Sequence, residues 1–365
     1  MSAPPIQPRG NHFPCKQCGA QLQYNPGALK LKCPYCGFEQ DIPADTSSVV
    51  PLDFQSWLTR DVAPDPSKQI LKCTGCGAQF EMKANEVAGK CPFCAGIVVI
   101  PPDASAQIPP GCVLPFIVDS KRARDEFRKW VGSRFWAPNN LKELSMMQGG
   151  LTGVYVPYWS YDSATTTQYT GMRGIDRYIT ETYTDSDGNT QQRERVETDW
   201  FPAFGTVEVP FQDVLVLASN KVPAKFATAM KSWQLGGLVS YRDEFLSGFQ
   251  AVRYETNLAE GFEVAKQIMA PSINQAVCFD IGGDRQQVLT AVTSYFGTAF
   301  KHALLPIWAG AYRYNGKTWQ YLINGQTGEI RGESPVSWFK ILLAVLLGVV
   351  LLVALFYIFG HSRSR

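Results

Sequence analysis

The stretch "CKQCGAQLQYNPGALKLKCPYCG", Cys15–Gly37, returns 58 positions later as "CTGCGAQFEMKANEVAGKCPFCA", Cys73–Ala95. Each copy reads C-x2-C, fourteen residues, C-x2-C, from Cys15, Cys18, Cys33 and Cys36 and then from Cys73, Cys76, Cys91 and Cys94. The offset also preserves Gly19/Gly77, Ala20/Ala78, Gln21/Gln79, Lys32/Lys90, Pro34/Pro92 and Pro43/Pro101. A C-x2-C turn aims two sulfurs at one point, and a hairpin between two such turns brings the second pair opposite the first. Four thiolates then close a tetrahedron around Zn2+ and leave no open coordination position, so two structural zinc ions are expected rather than catalytic ones. Gly19, Gly37 and Gly77 follow the turns, where a positive φ is needed. Ala95 stands where the fourth glycine would be, with Gly96 beside it. The competing reading, disulfides, calls for an oxidising compartment. The polar, Pro-rich start "MSAPPIQPRGNHFP" lacks the apolar core of a secretory signal.

At the other end, "ILLAVLLGVVLLVALFYIF", Ile341–Phe359, is nineteen residues without a charge. As a helix it is roughly 28 Å long, close to the hydrocarbon thickness of a bilayer. Trp338 and Tyr357 lie where interfacial aromatics belong. A transmembrane helix is therefore expected over 338–360, with a tail at 361–365. The lipid bilayer is its partner through 341–359, and the bulk of the chain faces the cytosol, where thiols stay reduced. Arg363 and Arg365 beyond the span, against Lys340 before it, lean the other way on the positive-inside rule. The expected location is the cytoplasmic (inner) membrane, single-pass.

Between the ends the expected fold class is α+β: two small tandem zinc ribbons, a mixed helix and antiparallel-sheet body, and one C-terminal transmembrane helix. The segments read as a polar tail at 1–14, ribbon 1 at 15–43, a linker at 44–68, ribbon 2 at 69–101, a Pro-rich linker at 102–112 and the α+β domain at 113–335. The linker at 44–68 holds a short apolar stretch around Phe54, Trp57 and Leu58. In the body, Asp119 caps a helix with apolar spacing at Ala123, Phe127, Trp130 and Val131. Asn257 and Glu260 form a capping-box pattern. Pro223 stands where a helix can begin. "RYITETYTDSDGNTQQRERVETDW" reads as a hairpin across Asp187-Gly188-Asn189, "QQVLTAVTSYF" as a strand, and the segment from Ala309 to Gly332 as three short strands. A short echo links "VYVPYWSYDS" at Val154 to "ALLPIWAGAY" at Ala303. The shared apolar–Pro–apolar–Trp core is what two related strands of one sheet would show.

The formal net charge of +2 gives no general pull towards nucleic acid. Residues 1–100 carry nine Lys/Arg against eight Asp/Glu, without the basic excess of a phosphate-binding surface. Tyr24, Tyr35, Phe80 and Phe93 could stack bases, but aromatics in such hairpins usually pack the ribbon itself. "AYRYNGKT", Ala311–Thr318, matches a relaxed phosphate-loop pattern, yet alternating tyrosines before Asn-Gly describe a hairpin turn. "DSDGN" lacks the glycine and distal acid of a calcium loop. Three histidines, and no nucleophile or zinc-protease motif, point away from catalysis. Cys112 and Cys278 read as small buried apolar residues.

The combination of "CKQCG…CPYCG", "VLPFIVD", "FWAPNNL", "GVYVPYWSYD", "LLPIWAGAYRYNGKTWQYLINGQTG" and a C-terminal span resembles a bacterial family of zinc-ribbon membrane proteins. Its members are labelled primosomal-helicase-like or TFIIB-type. The helicase label rests on the ribbons alone, and this chain shows no helicase ATPase motif. The resemblance implies a neighbourhood of SPFH-domain and PspA-type membrane-stress proteins. The expected function is a non-enzymatic, membrane-anchored adaptor or scaffold with a cytosolic or membrane protein partner. A membrane-tethered nucleic-acid binder is the alternative.

Overall fold

The computed structural model describes residues 13–43, 49–60, 69–82, 91, 93, 98–99, 107–138, 141, 150–184, 190–220 and 222–362. Among them are β1 (Gln23–Asn25), β2 (Lys30–Lys32), β3 (Glu39–Asp41), β4 (Leu52–Asp53), α1 (Phe54–Leu58), β5 (Gln69–Cys73), β6 (Gln79–Met82), β7 (Val98–Val99), β8 (Cys112–Val113) and α2 (Ser120–Gly132). Then follow β9 (Leu151–Thr184), β10 (Thr190–Leu217), α3 (Ala224–Ala227), β11 (Val239–Ser240), β12 (Gln250–Val252), α4 (Leu258–Ile281), β13 (Arg285–Tyr314), β14 (Lys317–Asn324), β15 (Ile330–Gly332) and α5 (Trp338–Ser362). The class is α+β: one large mixed sheet, a small three-stranded sheet β1-β2-β3 and few helices.

The centre of the large sheet is the antiparallel pair β9/β13, and the echoing Pro-Trp segments lie within it. Tyr155 faces Pro306 and Pro157 faces Leu304. Around this pair the topology is doubled. β12 runs parallel to β9 at Val154 and Tyr155, and β8 runs parallel to β13 at Ala303 and Leu304, the same positions displaced by 149. β10 ends its pairing with β9 at Leu217↔Tyr158, and β14 ends its pairing with β13 at Asn324↔Ile307. Each central strand thus has a short parallel strand and a hairpin return strand on its outer edge.

The hydrogen bonds repeat with the topology. Ala218 N–H donates to Pro157 O at 3.0 Å, and Gly325 N–H donates to Pro306 O at 2.8 Å. Ala218 O accepts from the amides of Glu255 and Thr256, and Gly325 O accepts from those of Ile117 and Val118. The indole of Trp159 donates to Thr256 O at 2.9 Å, and that of Trp308 to Val118 O at 2.8 Å. Each of these carbonyls directly precedes a helix cap. Asp119 accepts from Arg122 N at the start of α2, and Asn257 forms a full capping box with Glu260 at the start of α4. The buried stripes match as well: Ala123, Phe127 and Val131 on α2, and Gly261, Ala265 and Met269 on α4. Gly261 has to be glycine here, because a Cβ would lie 2.5 Å from the Tyr161 hydroxyl and 2.7 Å from Trp159.

The two halves differ in length. The β9/β10 hairpin continues far past the body, whereas β13/β14 closes at once through Asn315 and Gly316, both at positive φ. That two-residue turn is what the phosphate-loop look-alike encodes. β13 begins early enough to accompany the long hairpin, so β10, β9 and β13 form a three-stranded blade. At about 3.4 Å per residue, the 34 residues of β9 reach on the order of 110 Å. The body–blade junction is marked on both sides of β9. β10 carries an extra residue between Phe211 and Val214, with Asp213 at φ 52°, and β13 carries one between Phe296 and Ala299, with Gly297 at φ 56°. Such bulges bend and twist a sheet.

α4 lies along one face of the blade and buries Phe262, Met269, Ile273, Val277 and Ile281. Its Pro271 faces outward, where the helix needs no packing partner. Among the described residues no helix covers the opposite face, and there Phe204 is 82% exposed, Val292 69% and Phe296 54%. Towards the tip, Arg177–Glu197, Arg193–Glu181 and Arg195–Glu181 form cross-strand ion pairs between 3.1 and 3.4 Å, and Arg195 also pairs with Glu197 on its own strand at 3.0 Å. The turn expected at Asp187-Gly188-Asn189 lies outside the described residues, but its flanks pair as Thr184↔Thr190.

The segments expected as linkers also contribute to the body. From 44–68, β4 pairs with β13 at Ala299 and Phe300, and α1 buries Phe54 against Tyr161 and Phe262. From 102–112, Ile108 is buried and Cys112 lies in the sheet. α5 is, among the described residues, the one helix long and apolar enough to cross a membrane, and no residue of its window Trp338–Leu355 is buried.

Candidate metal centres

The first cysteine module is built from repeated turns. Cys15 N–H donates to Ala20 O at 2.7 Å and Gly19 N–H to Cys15 O at 2.9 Å; Cys33, Phe38 and Gly37 make the same pattern at 2.8 and 3.1 Å. In the second module Cys73, Ala78 and Gly77 repeat it at 2.9 and 3.0 Å. Gly19, Gly37 and Gly77 have φ of 74°, 76° and 74°, so each turn uses the freedom that only glycine has without strain. Between the two turns of the first module, β1 and β2 form the expected hairpin.

These turns bring the sulfurs together. The four Sγ atoms of Cys15, Cys18, Cys33 and Cys36 lie within 4.8 Å of one another, as do those of Cys73, Cys76 and Cys91. Cys94 lies outside the described residues. The Sγ separations are 3.5 Å for Cys15–Cys36, 3.5 Å for Cys18–Cys33 and 3.6 Å for Cys76–Cys91. A disulfide would need about 2.05 Å. A tetrahedral thiolate site with metal–sulfur distances near 2.3 Å separates its sulfurs by about 3.8 Å. Both clusters could therefore hold a metal ion. The four thiols are unequal: the backbone N–H of Cys36 draws the Cys33 thiol down to about 6 and Cys15 is lowered too, while the neighbouring sulfurs help push Cys18 and Cys36 up. A thiolate is the form that binds metal.

The modules sit on the body in different ways. In the first, Tyr24 N–H donates to Ser247 O at 2.9 Å, Gly27 N–H to Phe116 O at 3.2 Å and the Tyr24 hydroxyl to the same carbonyl at 3.0 Å. In the second, β5, β6 and β7 belong to the large sheet itself, because β6 pairs with β12 at Val252 and Ala251. Phe80 and Phe93 stack inside this module, and Tyr24 packs on Phe245. Those three aromatics are core residues, whereas Tyr35 is 83% exposed.

One charged cluster was not apparent from the sequence. At the junction of body and blade, Lys301 Nζ donates to Asp213 Oδ1 at 2.5 Å and lies 3.6 Å from Asp162, while Ser160 Oγ donates to Asp213 at 2.9 Å. Burial alone would raise the Asp213 carboxyl; the hydrogen bonds from Lys301 and Ser160 hold it below its usual value. Asp162 also accepts from the Asp213 amide at 2.7 Å. The cluster clamps the residue with positive φ in the bulge, which makes it a structural pin. Cys112 nearby is buried, and burial pushes its thiol up to about 12, so it packs as an apolar residue. Between the first module and the start of β9 lies a cleft of about 470 Å³ lined by Gln23, Asn25, Asp119, Ser120, Thr152 and Gln250 among others. Its acid, Asp119, is committed to capping α2.

No family model matches the chain, and no solved structure matches it. The chain is similar to the uncharacterized protein YdjG of Bacillus subtilis (strain 168), with 24% identity over 336 residues that cover 90% of this chain and 91% of the relative.

Proposed function

We propose that the protein is a non-enzymatic adaptor of the bacterial cytoplasmic membrane, anchored by α5, with a structural Zn2+ in each cysteine module. The observation that carries this reading is the blade. Long strands cost ordering entropy along their whole length, and exposed phenylalanines add a solvation cost. A surface with Phe204, Val292 and Phe296 in the open is what a protein-contact element presents. The modules at its root serve as metal-stapled supports. Reduced thiolate clusters are at home in a reducing compartment, which supports a cytosolic bulk of the chain. PspA-type or SPFH-domain proteins are the partners that the family resemblance suggests.

The test compares membranes from cells that carry the tagged full chain or its Phe204→Asp/Val292→Asp variant. Proteins that copurify with the wild type should fall at least tenfold with the variant, while metal content stays the same. Unchanged copurification would remove the blade from the reading. The same purified protein, titrated with DNA and RNA at physiological salt, should not bind at micromolar concentration. Micromolar binding with a steep salt slope would favour the nucleic-acid alternative.

A further inference from the structure

We propose that the loop after α2, with Phe135 and Trp136 at its tip, is a second membrane contact that inserts into the interface of an anionic bilayer beside α5. This rests on the reading of α5 as an anchor. The loop is fixed to the first turn of α5 by three backbone carbonyls. Trp136 O accepts from Ser337 N–H at 2.7 Å, and Phe135 O and Ala137 O accept from Lys340 Nζ at 3.0 and 2.7 Å. The loop's height is therefore that of residues 337–340, directly before the apolar run that begins at Ile341.

At this level the aromatics face outward. Phe135 is 73% exposed and Trp136 44%, beside Trp338 at 83% and Phe339 at 75% on α5. In water these four rings would form a costly patch. At the headgroup–acyl boundary the same rings are stabilising, because an aromatic ring has an apolar body and, in Trp, a polar N–H. The loop's backbone is already hydrogen-bonded to α5, so insertion strands few polar groups.

The charge around the loop fits one kind of surface. Residues 120–134 hold six Lys/Arg against two Asp/Glu. Arg134 stacks over Trp130 at 4.5 Å directly before the aromatic tip, and Lys129 is exposed one turn behind. Cations near an anionic leaflet each contribute on the order of 1 kcal/mol. Two contacts, a spanning helix and an aromatic-basic loop tied to its first turn, would hold the body at a fixed tilt, where a single helix alone leaves it free to swivel.

The full chain is reconstituted into vesicles of brominated phosphatidylcholine, with or without phosphatidylglycerol. Its tryptophan emission is compared with that of Trp136→Phe and Trp338→Phe, whose metal contents serve as the folding control. Both substitutions should remove a bromine-quenched component, and the Trp136 component should grow with phosphatidylglycerol. Lys129→Glu/Arg134→Glu should abolish that growth. Quenching of Trp338 without quenching of Trp136 would overturn the proposal and leave the anchor standing, and a protein or second copy would then cover the loop. Quenching of neither would remove the anchor and the proposal together. Quenching of Trp136 that ignores both phosphatidylglycerol and the charge reversal would overturn the anionic half of the inference.

Discussion

Replacing Trp159 by Ala should destabilise the protein by about 3–5 kcal/mol through lost packing, with a lost hydrogen bond adding about 1 kcal/mol. Trp308→Ala should cost nearly the same. Trp159 is fully buried, with ring centroids of His302, Tyr254 and Phe300 at 4.8, 5.0 and 5.8 Å. Trp308 is 6% exposed and sits 5.1 Å from Phe116 and 5.8 Å from Phe249. Each indole fastens the connection between a short parallel strand and its helix to a central strand. Without it, the cap residues Asn257 or Asp119 keep their helix bonds but lose their tether to the sheet. Since domains are stable by only about 5–15 kcal/mol, either change takes a large share. Urea unfolding of the full chain in detergent, followed by circular dichroism, measures both. A severe Trp159→Ala beside a neutral Trp308→Ala would show that the doubled topology is not mechanically doubled.

These two tryptophans also show what could be read from residue order alone. The echo around Pro157 and Pro306 was visible because the same local geometry needs the same local residues. A proline tolerates the lost amide there, and its carbonyl accepts from the return strand. Cysteine turns, the Asp119 and Asn257 caps, the Asn315-Gly316 hairpin and the C-terminal apolar helix were legible for the same reason: each is decided within a few residues. The blade was not. In "ATTTQYT", Ala164–Thr170, one face meets α4 and the other meets nothing, so threonine and glutamine replace the alternation that marks a half-buried strand. Pro271 usually ends a helix, but here it lies on the exposed side and α4 runs on to Ile281. The Lys301–Asp213–Asp162 pin joins three strands through pairings that no local pattern encodes. Nor could spacing show that the second cysteine module merges with the large sheet while the first keeps its own.

That difference sets the last expected result. Cys33→Ser should leave about one zinc per chain, because each set of four thiolates closes its own tetrahedron, and the body should stay folded. The first module meets the body through hydrogen bonds at Leu22, Tyr24 and Gly27 and through a shared apolar cluster, so its loss exposes Phe116 and Phe249 without cutting a strand pairing of the large sheet. Cys73→Ser should also leave about one zinc but reach further. Cys73 ends β5, β5 pairs with β6, and β6 pairs with β12, which lies on β9 at Val154 and Tyr155. A module this small depends on its metal for folding, so without the ion β6 frays and the edge of the central pair opens. Metal analysis gives the stoichiometry, and hydrogen exchange of the amides at 250–252 and 154–156 gives the reach. Protection there should drop in Cys73→Ser and persist in Cys33→Ser. Loss of both ions in either variant would mean that the modules share their metals. Equal protection in the two variants would mean that the second module, although continuous with the sheet, carries none of its stability.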